Sequence, residues 1–303
     1  MKTSRRSFLK ALGQVAVGGS LALAGGYGYS TRVEPSWLTV EQVQIPLKNL
    51  KPALAGFKIV HMSDFHLHPF TQLDLIQEAV ATANGLQPDL IVLTGDYVLK
   101  GADSIFELAP ALAALNATYG VFTILGNHDL WTDAAVVRAG LQQAGLPVLV
   151  NEGVALGVDR EIIYLAGVDD GWSGAPDLNA ALAKLPANVL TILLAHEPDL
   201  ADTFALDGRI SLQLSGHSHG GQVRLPGVGA PFLPHLGRKY DQGLHQVQEM
   251  WVYTTRGIGV IGPPIRINCP PEITEITLIK SQKLLDHSIG PILRSQYPLL
   301  FLI

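Results

Sequence analysis

Three short apolar runs, residues 57–62, 90–94 and 121–125, constrain this chain more than any other feature. Each breaks off into residues able to bind metal or move protons. The first ends in Ser63-Asp64-Phe65-His66-Leu67-His68, the second in Gly95-Asp96, and the third in Gly126-Asn127-His128-Asp129. A helical pattern follows each run. Over residues 73–84, Leu73, Ile76, Val80 and Ala83 fall on one helical face. Helices are also predicted over 105–115, interrupted by Pro110, and over 134–144, closed by Gly145. Continuous apolar strands alternating with helices point to a largely parallel sheet covered on both faces. In such sheets a reactive site lies at the carboxyl ends of the strands, where these polar clusters stand.

The second half is richer in strands. They are predicted at 147–150, 162–167, 189–194 and 210–214, with a helix at 178–185 and a first strand back at 37–45. Antiparallel strands are expected at 222–225, 251–255 and 273–279. The 189–194 run ends in Ala195-His196-Glu197-Pro198. The 210–214 run leads into Ser215-Gly216-His217-Ser218-His219-Gly220-Gly221-Gln222. Glycines on either side permit a tight loop at a strand end, so both imidazoles can aim into one space. The loop 226–241, with His235, Arg238 and Lys239, is either a substrate-facing insertion or an ordinary surface loop.

Asp64 and His66, Asp96, Asn127 and His128, His196, and His217 and His219 thus form five clusters at strand ends. Carboxylate, amide and imidazole donors without thiolate suit manganese, iron or zinc rather than a structural zinc site. There are too many of them for one ion and about the right number for two ions sharing a carboxylate. The lone Cys269 excludes an internal disulfide and a cysteine-based zinc site. A net charge of −5 gives no basic footprint for a nucleic-acid partner.

From about Lys58 to Ile279 these motifs, in this order, resemble the calcineurin-like metallophosphoesterase superfamily. The resemblance implies a two-sheet α/β sandwich flanked by helices, in four layers α/β/β/α. It implies one metal on Asp64, His66 and His219, a second on Asn127, His196 and His217, and Asp96 bridging them. His128 would be the general acid rather than a ligand. Two ions about 3.5–4 Å apart can hold a phosphate and lower the pKa of a shared water, whose hydroxide attacks phosphorus in line with the leaving oxygen. Asp129 adjoins His128 in sequence, which does not establish contact. His61, His68, His235, His245 and His287 match no motif position.

Protein serine/threonine phosphatases of the superfamily continue the second motif with an acid and an arginine. Here Leu99 and Lys100 stand in those places, so a bidentate phosphate fork is lost and a point charge remains. Lys100 and Arg256 are candidate substrate contacts, and Arg266 is either that or structural. The later wording, including Thr255-Arg256-Gly257 and Pro271-Glu272-Ile273, resembles exported or membrane-associated phosphodiesterases related to UDP-2,3-diacylglucosamine hydrolases. The expected activity is hydrolysis of phosphodiesters, or of monoesters, with a lipid or cell-envelope polymer among the substrates. The rivals are a lipid-linked diphosphatase of the UDP-diacylglucosamine hydrolase type and a metal-containing envelope-binding protein without activity.

Ser4-Arg5-Arg6-Ser7-Phe8-Leu9-Lys10 is a twin-arginine signal pattern. The apolar stretch behind it, 11–24, falls short of the roughly 20 residues a membrane span needs. It ends in Ala22-Leu23-Ala24, a small-x-small cleavage pattern. The expected organisation is a signal peptide over 1–24, removed or retained as an anchor; a linker and first strand over 25–52; a catalytic domain over 53–280; and an apolar tail over 281–303. The tail would pack on the body or touch a membrane surface. The protein is expected in the periplasm, in the cell wall or at the membrane.

Overall fold

The computed structural model describes residues 5–281. It opens with helix α1 (Arg5–Gly28), which runs past the expected cleavage point. No helix among the described residues is long and apolar enough to cross a membrane. The first sheet takes β1 (Thr39–Leu47), β2 (Lys58–Met62), β3 (Leu90–Leu93), β4 (Val121–Thr123) and, from the far end of the chain, β11 (Glu272–Lys280). Their order is β1-β11-β2-β3-β4. The second sheet takes β5 (Glu152–Val158), β6 (Glu161–Gly167), β7 (Leu190–Leu194), β8 (Leu212–Ser215), β9 (Gly243–Val247) and β10 (Met250–Thr254). There the order is β5-β6-β7-β8-β10-β9.

The apolar runs are buried on both faces, and the period of two decides which residue meets which layer. Ile59, Leu90 and Val92 point inward and pack on Ile163, Leu165, Ile192, Leu194, Leu212 and Leu214 of the second sheet. Their neighbours Val60, Met62, Ile91 and Leu93 point outward. They meet α2 (Leu73–Gly85), α3 (Ile105–Leu112) and, beyond the short α4 (Asn127–Thr132), α5 (Ala134–Gln143). On the far side Tyr164, Ala166, Leu193 and Val252 pack under α6 (Leu178–Ala181) and α7 (Ala201–Phe204). The four layers are those the resemblance implied.

Several local expectations change. Strands β10 and β11 are not simply antiparallel. β10 is parallel to β8 and antiparallel to β9, and β11 is parallel to β1 and antiparallel to β2. Residues 147–150 supply only a bridge from Val148 to Thr123, and 222–225 only bridges to Ile267 and Gly229. The helix expected over 178–185 stops at Ala181, and Leu185, preceding Pro186, is disfavoured in helical conformation. Strands β5 and β9 were not foreseen. The apolar tail and His287 lie outside the described residues, as do residues 1–4.

Candidate metal centre

The strands β2, β3, β7 and β8 all deliver their last residues to one place, and the backbone there is strained to do so. Asp64, His66, Asp96, His217 and His219 all have positive φ, between 45° and 70°. Left-handed backbone at a residue with a Cβ costs about 1–3 kcal/mol and persists only where the surroundings fix it. Two glycines make room. A Cβ at Gly126 would strike Asp96 Oδ1 and lie 2.7 Å from His196 Cε1. One at Gly216 would strike Ser63 Oγ and Asp64 Oδ2.

The donor atoms converge as two overlapping groups, and a third, of His66, Asp96 and His128, shares a member with each. In one, His66 Nε2 lies 2.9 Å from His219 Nε2, and His219 Nε2 lies 3.3 Å from Asp64 Oδ1. In the other, Asp96, His196 and His217 come together, with His196 Nε2 3.2 Å from Asp96 Oδ2. Asp96 belongs to both neighbourhoods, because the same oxygen is 3.4 Å from His66 Nε2. Asn127 is buried beside them, and its Oδ1 and His196 Nε2 have no hydrogen-bond partner in the protein.

Backbone carbonyls fix which imidazole nitrogen is free. His196 donates from Nδ1 to the Thr94 carbonyl (2.6 Å), and His217 donates from Nε2 to the His235 carbonyl (2.7 Å). That leaves His196 Nε2 and His217 Nδ1 as the ring nitrogens not committed to the backbone, the arrangement seen when an outer carbonyl orients a metal-binding histidine. Burial lowers the pKa of His66 to about 3 and of His217 to about 4, and it takes His219 well below the usual range. All three imidazoles are therefore neutral at physiological pH, as ligation requires. Burial opposes charge on His196 as well, but the adjoining Asp96 and Asp64 carboxylates outweigh it and raise its pKa. Burial raises Asp64 to about 7, whereas Asp96, also pressed upward by burial, is held well below the usual range by His196. Unpaired buried donors, neutral imidazoles and hard oxygens fit divalent metal ions.

His128 sits half-buried at the edge. Its backbone N–H donates to Asp96 Oδ1 (2.8 Å), its ring packs edge-on to His66 (4.7 Å), and Nδ1 lies 3.5 Å from the Leu99 carbonyl. Asp129 does something the sequence left open. Its carboxylate accepts the N–H groups of Asp96 (2.9 Å), Tyr97 (2.8 Å), Val98 (3.3 Å) and Gly126 (2.9 Å). It clasps the second motif to the third instead of bonding the His128 ring.

Lys100 and Arg256 do not join the cluster. Lys100 is exposed, with its ammonium over the Phe70 ring. The Arg256 guanidinium is committed to Glu41 (2.6 Å) and Glu272 (3.0 Å), so a phosphate would have to displace a carboxylate to reach it. Arg266 is fully buried and donates to the carbonyls of Arg256, Gly257, Gly259 and Cys269, a structural role. His68 pairs with Glu107 at the surface. Two tryptophans that no sequence pattern singles out, Trp131 and Trp172, stand beside His128 and His217.

A two-sheet sandwich with this cluster at its strand ends defines a metallophosphoesterase, and residues 57–221 match the calcineurin-like phosphoesterase family. The chain belongs to that family and is a metal-dependent phosphoester hydrolase. It is 37% identical over 282 residues to the uncharacterized metallophosphoesterase YkuE of Bacillus subtilis, covering 91% of this chain and 98% of the relative. It is 36% identical over 281 residues to the phosphodiesterase YaeI of Escherichia coli, covering 91% and 99%. Among solved structures, the NAD nucleotidase NadN of Haemophilus influenzae overlaps 67% of this chain and 45% of its own length, at 17% identity and a TM-score of 0.46.

Proposed function

We propose that the chain is a two-metal phosphodiesterase acting outside the cytoplasm. Asp64, His66 and His219 would hold one divalent ion, Asn127, His196 and His217 the other, and Asp96 would lie between them. The observation that carries this reading is the Asp96 carboxylate, 3.4 Å from His66 Nε2 and 3.2 Å from His196 Nε2. Manganese, zinc or iron in these positions would neutralise phosphate charge and activate water as the nucleophile.

The chain's own residues supply the rest. His128 could close a third group with His66 and Asp96, but both proposed ligand sets are complete without it, and its half-buried position beside them suits delivery of a proton to the leaving oxygen. The Leu99 carbonyl, 3.5 Å from Nδ1, would keep Nε2 turned to the substrate. Asp129, by holding the Asp96 and Asn127 loops at fixed spacing, positions ligands from two strands. The name given to the relative YaeI supports a diester substrate. Lipid or envelope polymers remain the substrate classes to test first.

The test is metal-stripped protein with manganese, zinc or magnesium restored, assayed on bis-p-nitrophenyl phosphate and p-nitrophenyl phosphate with bound metal measured alongside. Restored turnover favouring the diester is expected. Protein that holds two ions and hydrolyses neither ester refutes the reading. Export is tested separately: changing Arg5 and Arg6 to lysine should leave the protein in the cytoplasm, and unchanged export would exclude the twin-arginine route.

A further inference from the structure

Trp131 and Trp172 are both large, half-exposed and fixed in place, a combination that neither packing nor metal binding requires. Trp131 is 49% exposed and Trp172 41%. Their rings meet at 80° with centroids 5.0 Å apart, forming an open corner. Trp131 leans on the His128 ring at 4.7 Å, and Trp172 sets its edge against His217 at 5.7 Å and His235 at 5.6 Å. One wall of the corner therefore adjoins the proposed acid, and the other adjoins a proposed ligand.

The corner is held by buried groups. Asp170 Oδ2 accepts the N–H of Trp172 (3.1 Å) and of Ser173 (2.5 Å), and Glu197 Oε2 accepts that of Gly171 (2.8 Å). Both acids are fully buried. Trp131 Nε1 donates to Ser173 Oγ (2.7 Å), which ties the first wall to the loop carrying the second. An indole buries 150–250 Å² when covered. Leaving two half-bare while fixing their orientation forgoes that stabilisation, unless something else covers them.

We infer that the corner formed by Trp131 and Trp172 binds the leaving group of the substrate, and that this group carries a ring with an apolar face. The inference rests on the phosphodiesterase reading above. A leaving oxygen protonated by His128 would direct its substituent along the Trp131 face. Nucleobases and sugars share the required chemistry, since either can lay a ring face on an indole.

The test uses the manganese-loaded protein and two phosphonates that differ only in the ring, phenylphosphonate and methylphosphonate, with Kd measured by calorimetry. The wild type should favour the phenyl compound by about five- to a hundredfold, the range for a base stacked on an aromatic side chain. Trp131→Ala and Trp172→Ala should each shrink that ratio and leave methylphosphonate binding within about twofold of wild type. Trp131→Phe and Trp172→Phe should restore part of the ratio, which separates ring contact from loss of structure. Equal binding of both phosphonates by the wild type, or an unchanged ratio in both alanine variants, overturns the inference and leaves the phosphodiesterase reading standing. Failure to bind either phosphonate overturns the inference, while the phosphodiesterase reading is decided by the diester assay above. Thymidine 5′-phosphate and glucose 1-phosphate, as competitors of diester turnover, then separate the two ring sources. Methyl phosphate competing as well as either would also overturn the inference.

Discussion

Removing the Asp129 carboxylate should loosen the centre without touching a ligand. The side chain is fully buried and accepts four backbone N–H groups, three from residues 96–98 and one from Gly126. A buried donor left unpaired costs about 1–3 kcal/mol. Asp129→Ala strands all four, so the loss should be at least about 4 kcal/mol, a large part of the roughly 5–15 kcal/mol that holds an ordinary domain. Asp129→Asn keeps one accepting oxygen and should lose about half as much. At about 2.1 cal/mol/K per residue, a loss of about 2 kcal/mol in a chain of this size corresponds to a fall in Tm of roughly 3 °C for the asparagine variant. Urea unfolding of metal-free protein measures the stability, and bound metal measures the centre. Both variants should also hold less metal, because Asp96 and Asn127 are no longer kept at fixed spacing. The reasoning is refuted if Asp129→Ala unfolds within 1 kcal/mol of wild type, or if the two variants are equally destabilised. Had Asp129 acted on His128 instead, Asp129→Asn would move the pH–rate profile and leave Tm where it was.

Other outcomes follow from the same geometry. His128→Ala should retain both ions and lose about 10²–10⁴-fold in turnover; loss of metal together with activity would make His128 a ligand. Asp96→Ala or His196→Ala should abolish metal-dependent turnover and lower the metal content, and normal metal content in either would contradict the ligand assignment. Gly126→Ala would place its Cβ against Asp96 Oδ1 and His196 Cε1, so it should weaken metal binding at least tenfold, and unchanged affinity would show that the loop has room to spare. His61 is fully buried against Thr94 Oγ1, and burial lowers its pKa from the usual 6.5 to about 3. The unfolded chain therefore gains a proton below pH 6.5 that the native state refuses until about pH 3. Stability should fall through that window by about 1.4 kcal/mol per pH unit from this group. His61→Gln, which can still bond Thr94, should unfold with a correspondingly shallower acid dependence, and an identical slope would place the proton uptake elsewhere.

The ligand cluster was legible because each ligand closes an apolar run, and such runs in an α/β sheet end on the same side. The inner strands were legible for the same reason: Leu90 to Leu93 is apolar on both faces, and Ile59 to Met62 is broken only by His61. Strand β5 was not, because it is a half-exposed edge with Gly153 and Gly157 inside it and no alternation to read. Pairing direction was also hidden, since β11 lies between β1 and β2, parallel to the first and antiparallel to the second. The role of Asp129 depends on donors about 30 residues away. Arg256 looked available only because its partners, Glu41 and Glu272, come from strands at opposite ends of the chain. The tryptophan corner joins α4 to the loop after β6, and neither segment carries a local pattern that announces the other.

The most direct measurement of the central claim is metal titration of the stripped protein, with bound ions per chain and bis-p-nitrophenyl phosphate turnover followed together. The account predicts two ions per chain and turnover that rises with the second. Full turnover at one ion per chain, or in protein free of metal, would contradict it.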